Sequence, residues 1–309
     1  MLAQFDSLFD LFDAIPDETA AHDHIRAVRW GANDEKAHCP HCGSLRVYHF
    51  ADRKVHKCGD CRKRFSIRVG TIFEDSKIGL RKWLAAVWLI TSHKKGIAST
   101  QLAKDIKVTQ KTAWFMLHRL RHAARTASFN RPLGNGGAPV EADETFIGGK
   151  EKNKHASKKL RQGRGPVGKA MVVGLRERNG ELRAQHLADM KHRTIQANVR
   201  ANVKPGVRLM TDDAPAYRGL AGEYVHEFVR HNAGEYVRDD AHTNGIESVW
   251  ALFKRQVIGT HHWMSKKHLN RYVGEMVWRL NRRELGEGER VNALLAQAGG
   301  RLTYKALIA

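Results

Sequence analysis

At 309 residues with 42% hydrophobic side chains, the chain is long enough for two or three domains with real cores. Its formal net charge of +21 points to nucleic acid as a partner, and the basic residues are spread over the whole length, which excludes a single disordered basic tail. No apolar run approaches the ~20 residues of a spanning helix, and the acidic start from Met1 to Asp10 is unlike a signal peptide, so a soluble cytoplasmic chain with no membrane partner is expected.

Residues 1–35 are expected to form an N-terminal helical segment. All four cysteines follow, clustered between residues 39 and 61, which argues for metal over disulfides. Cys39-Pro40-His41-Cys42 and Cys58-Gly59-Asp60-Cys61 are separated by fifteen residues, the paired arrangement of a four-cysteine zinc ribbon over residues 36–70. The segment between them reads as a hairpin, Leu45 to Phe50 and Lys54 to Lys57. Four thiolates close the coordination sphere, so the zinc is expected to be structural. His38, His41 and His56 are then surface residues or phosphate contacts.

Residues 71–126 read as helices. Leu80, Trp83, Leu84, Val87 and Trp88 recur at helical spacing, Ser99 to Ile106 makes a short second helix, and Thr109 can cap a third that carries Ala113, Trp114, Leu117 and Leu120 on one side. The polar side of that last helix shows Gln110, Lys111, His118, Arg119 and Arg121. This pattern is a helix-turn-helix with Gln110, Lys111, Arg119 and Arg121 as candidate DNA contacts; an ordinary three-helix bundle with a solvated basic face is the alternative. Residues 127–139, rich in Gly and Pro, form a linker.

After the linker the periodicity changes. Val140 to Ile147 reads as a strand with Asp143 inside it. Ala170 to Arg176 and Leu182 to Leu187 are further strands around an Asn179-Gly180 turn. A helix over Thr194 to Asn202 and a short apolar strand ending at Asp212 follow. Lys150 to Lys169 is a basic insertion. Strand-strand-strand-helix-strand is the order of a ribonuclease-H-like fold, in which the first and fourth strands are neighbours and would bring Asp143 and Asp212 together. Asn244 to Val257 reads as a helix, with Asn244 as its N-cap and Glu247 three positions on as a capping-box partner. Trp250 and Trp278 sit at core spacing. The basic, His-rich stretch Gly259 to His268 is open between a DNA contact and a solvated face. The fold class is therefore a multidomain α/β chain: zinc ribbon, helix-turn-helix bundle, then a ribonuclease-H-like mixed α/β catalytic domain over 140–285, with a C-terminal tail over 286–309.

The set Asp143-Glu144-Thr145, Thr211-Asp212, Asn244-Gly245-Ile246-Glu247-Ser248-Val249-Trp250 and Phe253-Lys254-Arg255 resembles the insertion-sequence DDE-type transposases that have an N-terminal zinc ribbon and an ISXO-like catalytic domain. The resemblance runs from about residue 20 to about residue 285 and includes His268-Leu269-Asn270-Arg271-Tyr272 and Arg279-Leu280-Asn281-Arg282-Arg283. It implies that Asp143 and Asp212 bind two catalytic Mg²⁺ or Mn²⁺ ions. Glu247 is the first choice for the third ligand and Asn244 the alternative. Lys254, seven residues after Glu247 and on the same face, would contact a phosphate. Carboxylates suit such hard ions, and phosphodiester hydrolysis followed by strand transfer needs them. The implied partners are element ends and target DNA, with a homodimer or higher oligomer on paired ends, at the nucleoid of a bacterial-type cytoplasm. Two other readings remain: a DNA-binding regulator with an inactive nuclease-like domain, and a ribonuclease-H-type nuclease that cuts without joining. The first requires the loss of one acidic position, and all three are present. The second needs no end reader of the kind expected over residues 36–125.

Overall fold

A computed structural model describes residues 4–309 apart from 53, 126–130, 161–165, 231–232, 236 and 239. The start of the expected linker, and Gly163 and Gly165 of the basic insertion, lie outside the described residues. The chain is mixed α/β and divides into two compact units, residues 1–125 with 282–309, and residues 126–281.

In the first unit, Ser7 and Asp17 cap α1 (Leu8–Ala14) and α2 (Glu18–Trp30). Three short antiparallel strands follow, β1 (Val47–His49), β2 (His56–Cys58) and β3 (Arg64–Phe65), in the order β1-β2-β3. Trp30 at the end of α2 packs edge-on against His56 at 4.8 Å and Phe65 at 6.2 Å. His56 is therefore fully buried, not a surface or phosphate-binding residue, and its ring is hydrogen-bond partner to His49 at 2.9 Å. Burial, then the neighbouring His49, pull its pKa down to about 4.

The helices α3 (Leu80–Ser92), α4 (Ser99–Asp105) and α5 (Gln110–Ala123) fall where the apolar stripes place them, and the Thr109 hydroxyl accepts from Thr112 N at 3.2 Å to start α5. α3 has no side-chain cap of its own. Glu18 of α2 supplies one instead, accepting from Leu80 N at 2.6 Å and Arg81 N at 3.1 Å. Residues 286–309, read from sequence as a tail, instead form α9 (Glu287–Ala296) and α10 (Tyr304–Ile308). α9 buries Val291, Leu294 and Leu295 and packs on α2, α3 and α5, so the C-terminal segment completes the core of the N-terminal unit.

The second unit is built on a five-stranded sheet of β4 (Val140–Ile147), β5 (Ala170–Glu177), β6 (Leu182–His186), β7 (Arg208–Asp212) and β8 (Val225–Val229). The order across the sheet is β6-β5-β4-β7-β8. β4, β5 and β6 are an antiparallel meander whose second turn uses Asn179 at φ 58°, and β7 and β8 run parallel to β4. α6 (His192–Asn202) makes the crossover between β6 and β7. β8 has no counterpart among the strands read from sequence.

Strand alternation divides the core into two layers. Val140 and Ala142 face α6 and the turn at Pro215–Leu220, together with Val173, Leu209, Ile195 and Tyr217. The opposite face carries Ile147 and Val172 against α7 (Asn244–Gln256) and α8 (Lys266–Leu280), with Trp250, Phe253 and Val273. Trp250 and Trp278 are 3% and 1% exposed, as core residues should be. Among the described residues, no helix is long and apolar enough to cross a membrane.

Candidate functional site

Asp143 lies on the α7 face of β4, one step along the alternation from Glu141. The parallel pairing matches Glu141 with Met210, so the same register carried two residues further sets Asp143 beside Asp212 at the end of β7. On the other side of Asp143 its partner is Gly174 of β5. That glycine is required by packing: a Cβ there would stand 2.5 Å from the Trp250 ring. The missing side chain lets α7 settle onto the sheet beside Asp143. Glu247, one turn before Trp250, comes with it.

The electrostatics record this convergence. Burial raises the Asp143 pKa to about 8, and the charges of Glu144, Asp212 and Glu247 push it the same way. Glu144 is also raised, first by burial and then by Asp212, although Tyr217 donates to its carboxylate at 2.7 Å. A half-buried group of carboxylates that repel one another is a donor set matched to hard divalent cations. Asp143 Oδ1 accepts from Glu144 N at 2.8 Å, and Asp212 Oδ1 from Ala214 N at 3.1 Å, so both carboxylates are oriented by backbone. Next to Asp212 opens a cleft of about 490 Å³ lined by Arg218, His226, Phe228 and Arg230, among others.

The start of α7 differs from the sequence reading. Its N-cap is Thr243, not Asn244, which is the first helical residue and is exposed. Glu247 does not close a capping box with Asn244; its Oε1 accepts from the Thr243 hydroxyl at 2.7 Å. Local capping gives way to a contact from the sheet. Glu141, 2% exposed, accepts from Ile246 N at 2.8 Å, with Arg178 and His242 each 3.6 Å from its other oxygen. Arg176 donates to the Gly245 carbonyl at 2.5 Å. No motif marks Glu141 in the sequence; its one signal there is its even spacing from Asp143 on one strand face. Lys254 is exposed two turns beyond Glu247.

The four cysteines converge as their spacing requires. Their sulfurs all lie within 4.8 Å of one another, with Cys39–Cys61 and Cys42–Cys58 at 3.6 Å. Tetrahedral zinc with ~2.3 Å bonds needs sulfurs about 3.8 Å apart, so the donor set fits that ion. Burial raises the Cys58 thiol, but N–H groups of Cys61 and Asp60 and the neighbouring thiols outweigh it and bring the pKa down to about 6. Among the described residues this is the one cluster of at least three ligands drawn so tightly together. The acidic set is looser.

On α5, Gln110 and Lys111 are exposed at the N-terminal turn. Gln110 donates to Ser99 at 2.9 Å and Lys111 lies over the Tyr304 ring at 5.3 Å. His118, Arg119 and Arg121 are not on a polar face as expected; they are 0%, 5% and 1% exposed. Arg119 donates to the carbonyls of Ile72 and Glu74 at 2.8 and 2.9 Å. The helix is buried on more than one side: α9 packs on it and the 71–76 segment accepts from Arg119, so Arg119 and Arg121 do not lie on an exposed basic face.

Two family models match the chain in order: a transposase zinc-ribbon domain over residues 16–64 and an ISXO2-like transposase domain over residues 135–281. An uncharacterized protein in the transposable element ISH50 of Halobacterium salinarum is 29% identical over 273 residues, covering 83% of this chain and 88% of that protein. Solved structures of a pre-cleavage Mos1 transpososome and of the Mos1 strand transfer complex are each 14% identical and cover 71% of this chain, and 80% and 79% of theirs. Their TM-scores to this chain are 0.25.

Proposed function

Because the chain carries the zinc-ribbon and ISXO2-like domains of insertion-sequence transposases, we propose that it moves such an element by cutting and joining DNA. The reading is supported by the way the parallel β4–β7 pairing and the seating of α7 at Gly174 gather Asp143, Asp212 and Glu247; burial first, then the charges of Glu144, Asp212 and Glu247, raise the Asp143 pKa to about 8. The strand order β6-β5-β4-β7-β8, with α6 between β6 and β7, supports a ribonuclease-H-like catalytic domain. The α3–α4–α5 arrangement supports a helix-turn-helix whose last helix presents Gln110 and Lys111 from its first turn, the part that reaches base edges in such motifs.

Asp143 and Asp212 would hold catalytic Mg²⁺ or Mn²⁺, with Glu247 as the third ligand and Asn244 as its rival. When bound, two such ions activate the attacking oxygen and stabilise the leaving one. The reaction runs in two displacements at phosphorus. Water first attacks at the element end, the bond to the 3′ oxygen breaks, and that oxygen takes a proton to become a hydroxyl. The hydroxyl then attacks a target phosphodiester, one P–O bond forming as another breaks. Lys254 would hold a phosphate beside the site, and the strands of β4 and β7 fix the two aspartates. The zinc ribbon, closed by Cys39, Cys42, Cys58 and Cys61, is structural and shapes the end-binding unit. Two ends must be brought together for strand transfer, which calls for a homodimer or higher oligomer on DNA.

The test is to incubate the protein with labelled DNA carrying the element ends and a target, with Mg²⁺ or with chelator. Cleaved and joined products that vanish in Asp143→Ala and Asp212→Ala are expected. Metal-independent binding without cleavage would leave only a DNA-binding regulator, and cleavage without joined products a simple nuclease. Glu247→Ala against Asn244→Ala decides the third ligand.

A further inference from the structure

The C-terminal end of α7 carries a feature that the acidic site does not use. α7 continues at Val257–His261 as a π-helical turn, a geometry that recurs at functional sites. His262 follows at positive φ, 60°, where few residues other than glycine are found, although His is among the more frequent of them. Trp263 comes next and is 71% exposed; Ile258, in the π turn, is 72% exposed. The segment is not loose. Phe253 and Gln256 before it are fully buried, Met264 after it is 7% exposed, and His261 packs edge-on against Tyr272 at 4.9 Å. A large apolar ring is thus held out into water between buried neighbours.

The local charge says what would cover it. From residue 248 to residue 274 the sequence has no Asp or Glu, while it has Lys254, Arg255, Lys266, Lys267 and Arg271. The first four of these are exposed. A docking surface for another protein is depleted of charge around its aromatic anchors, whereas aromatic rings set among cations are the pattern of single-stranded nucleic acid binding. Bases within a duplex are already stacked on their neighbours, so an indole can take only a base that is unpaired, terminal or displaced. The helix rises ~1.5 Å per residue, which sets Trp263 on the order of 20 Å from Glu247 along α7.

We propose that Trp263 is a stacking platform for an unpaired base of bound DNA, flanked by cations that hold the adjoining phosphates. This rests on the DNA-cutting reading above and adds a contact that the acidic site does not supply. A cut strand has a free end whose terminal bases unpair more readily than internal ones, so the platform would hold the strand near the cut end.

The experiment uses the full chain, with a short labelled single strand and the same strand in a duplex. Trp263 is the one exposed tryptophan among seven and Trp114 is half-buried, so the part of the iodide-accessible emission that Trp263→Phe removes is the signal read. Single-stranded DNA is expected to quench that fraction and shield it from iodide. Trp263→Ala should weaken single-strand binding by roughly 5- to 100-fold, with duplex binding changed less than about twofold, and Trp263→Phe should restore most of the loss. Equal losses on single strand and duplex, or no loss on either, overturn the platform. So does a variant whose only change is weaker self-association by sedimentation, which would make Trp263 a contact between copies. A wild type that cuts end DNA while Trp263→Ala binds single strand normally sinks the platform alone; a wild type that binds no DNA removes the functional reading with it.

Discussion

Replacing Asp143 by asparagine should stabilise the second unit in the absence of divalent ions, and the gain should grow with pH. Burial and the charges of Glu144, Asp212 and Glu247 raise Asp143 from 3.8 to about 8. In the unfolded chain the same carboxyl is ionised above about pH 4. Between these values the folded state binds a proton that the unfolded state has released, so stability falls as pH rises through the window. Each pH unit costs about 1.4 kcal/mol, which gives roughly 4 kcal/mol between pH 4 and pH 7 as an upper bound. Water entry and side-chain relaxation reduce this, so a gain of ~2–4 kcal/mol for Asp143→Asn is expected at neutral pH. Below about pH 4 both states of the wild type are protonated and the two proteins should converge. Urea unfolding followed by tryptophan emission reports on both units, and the transition belonging to Trp250 and Trp278, which are buried in the second unit, is assigned by replacing each with phenylalanine. The buffer contains no added divalent ions and no chelator, so zinc is retained. Mg²⁺ should then stabilise the wild type and leave the variant nearly unchanged. An asparagine variant less stable than wild type at neutral pH, or a gain that does not change with pH, would refute the reasoning.

Other substitutions separate structural from functional groups. Glu141→Ala leaves Ile246 N–H and Arg178 beside a buried gap and should cost about 3–5 kcal/mol in urea unfolding, while Glu141→Gln keeps an acceptor and costs less. Gly174→Ala drives a methyl into Trp250, and a loss of about 1–3 kcal/mol with reduced cleavage is expected as α7 lifts from the sheet. Arg119→Ala should lower the stability of the first unit by about 2–3 kcal/mol without changing the salt dependence of DNA binding, whereas Lys111→Ala should keep stability within about 0.5 kcal/mol and lower that salt slope by about 1. Cys58→Ser should cut the zinc content and the thermal stability of the ribbon together, measured by metal analysis and melting.

The elements with local causes were legible in the sequence. The cysteine spacing, the apolar stripes of α3 and α5, the Thr109 cap and the Asn179-Gly180 turn each depend on residues a few positions apart, and each lies where it was read. What failed depends on contacts across the chain. Arg119 and Arg121 look like a basic helix face in sequence, but both are buried, Arg119 against the carbonyls of Ile72 and Glu74. The tail reading of 286–309 failed for the same reason, since the face that α9 buries is supplied by helices more than 150 residues earlier. Among the described residues β8 pairs only with β7, and its stretch Val225–Val229 alternates too weakly to stand out. The capping box at Asn244 was a sound local expectation. A carboxylate 105 positions away took its place.

That replacement repeats a device. α3 and α7 both begin without a side-chain cap of their own, and each is capped by a glutamate from a remote element, Glu18 and Glu141. A remote cap does what a local one cannot: it fixes where the helix starts relative to another element. For α7 this matters to the chemistry, because Glu141 shares a strand face with Asp143 and holds the residue just before Glu247. The two carboxylates on that face differ in surroundings more than in depth. Glu141 is the more buried, yet it has Ile246 N–H, Arg178 and His242 around it. The charges that move Asp143 are Glu144, Asp212 and Glu247, all of its own sign. Burial alone would rank Glu141 as the costlier group and the better functional candidate. Charge balance reverses that order: the protein's own neighbours compensate Glu141 and leave Asp143 uncompensated, which is why the proposed cation is assigned to Asp143.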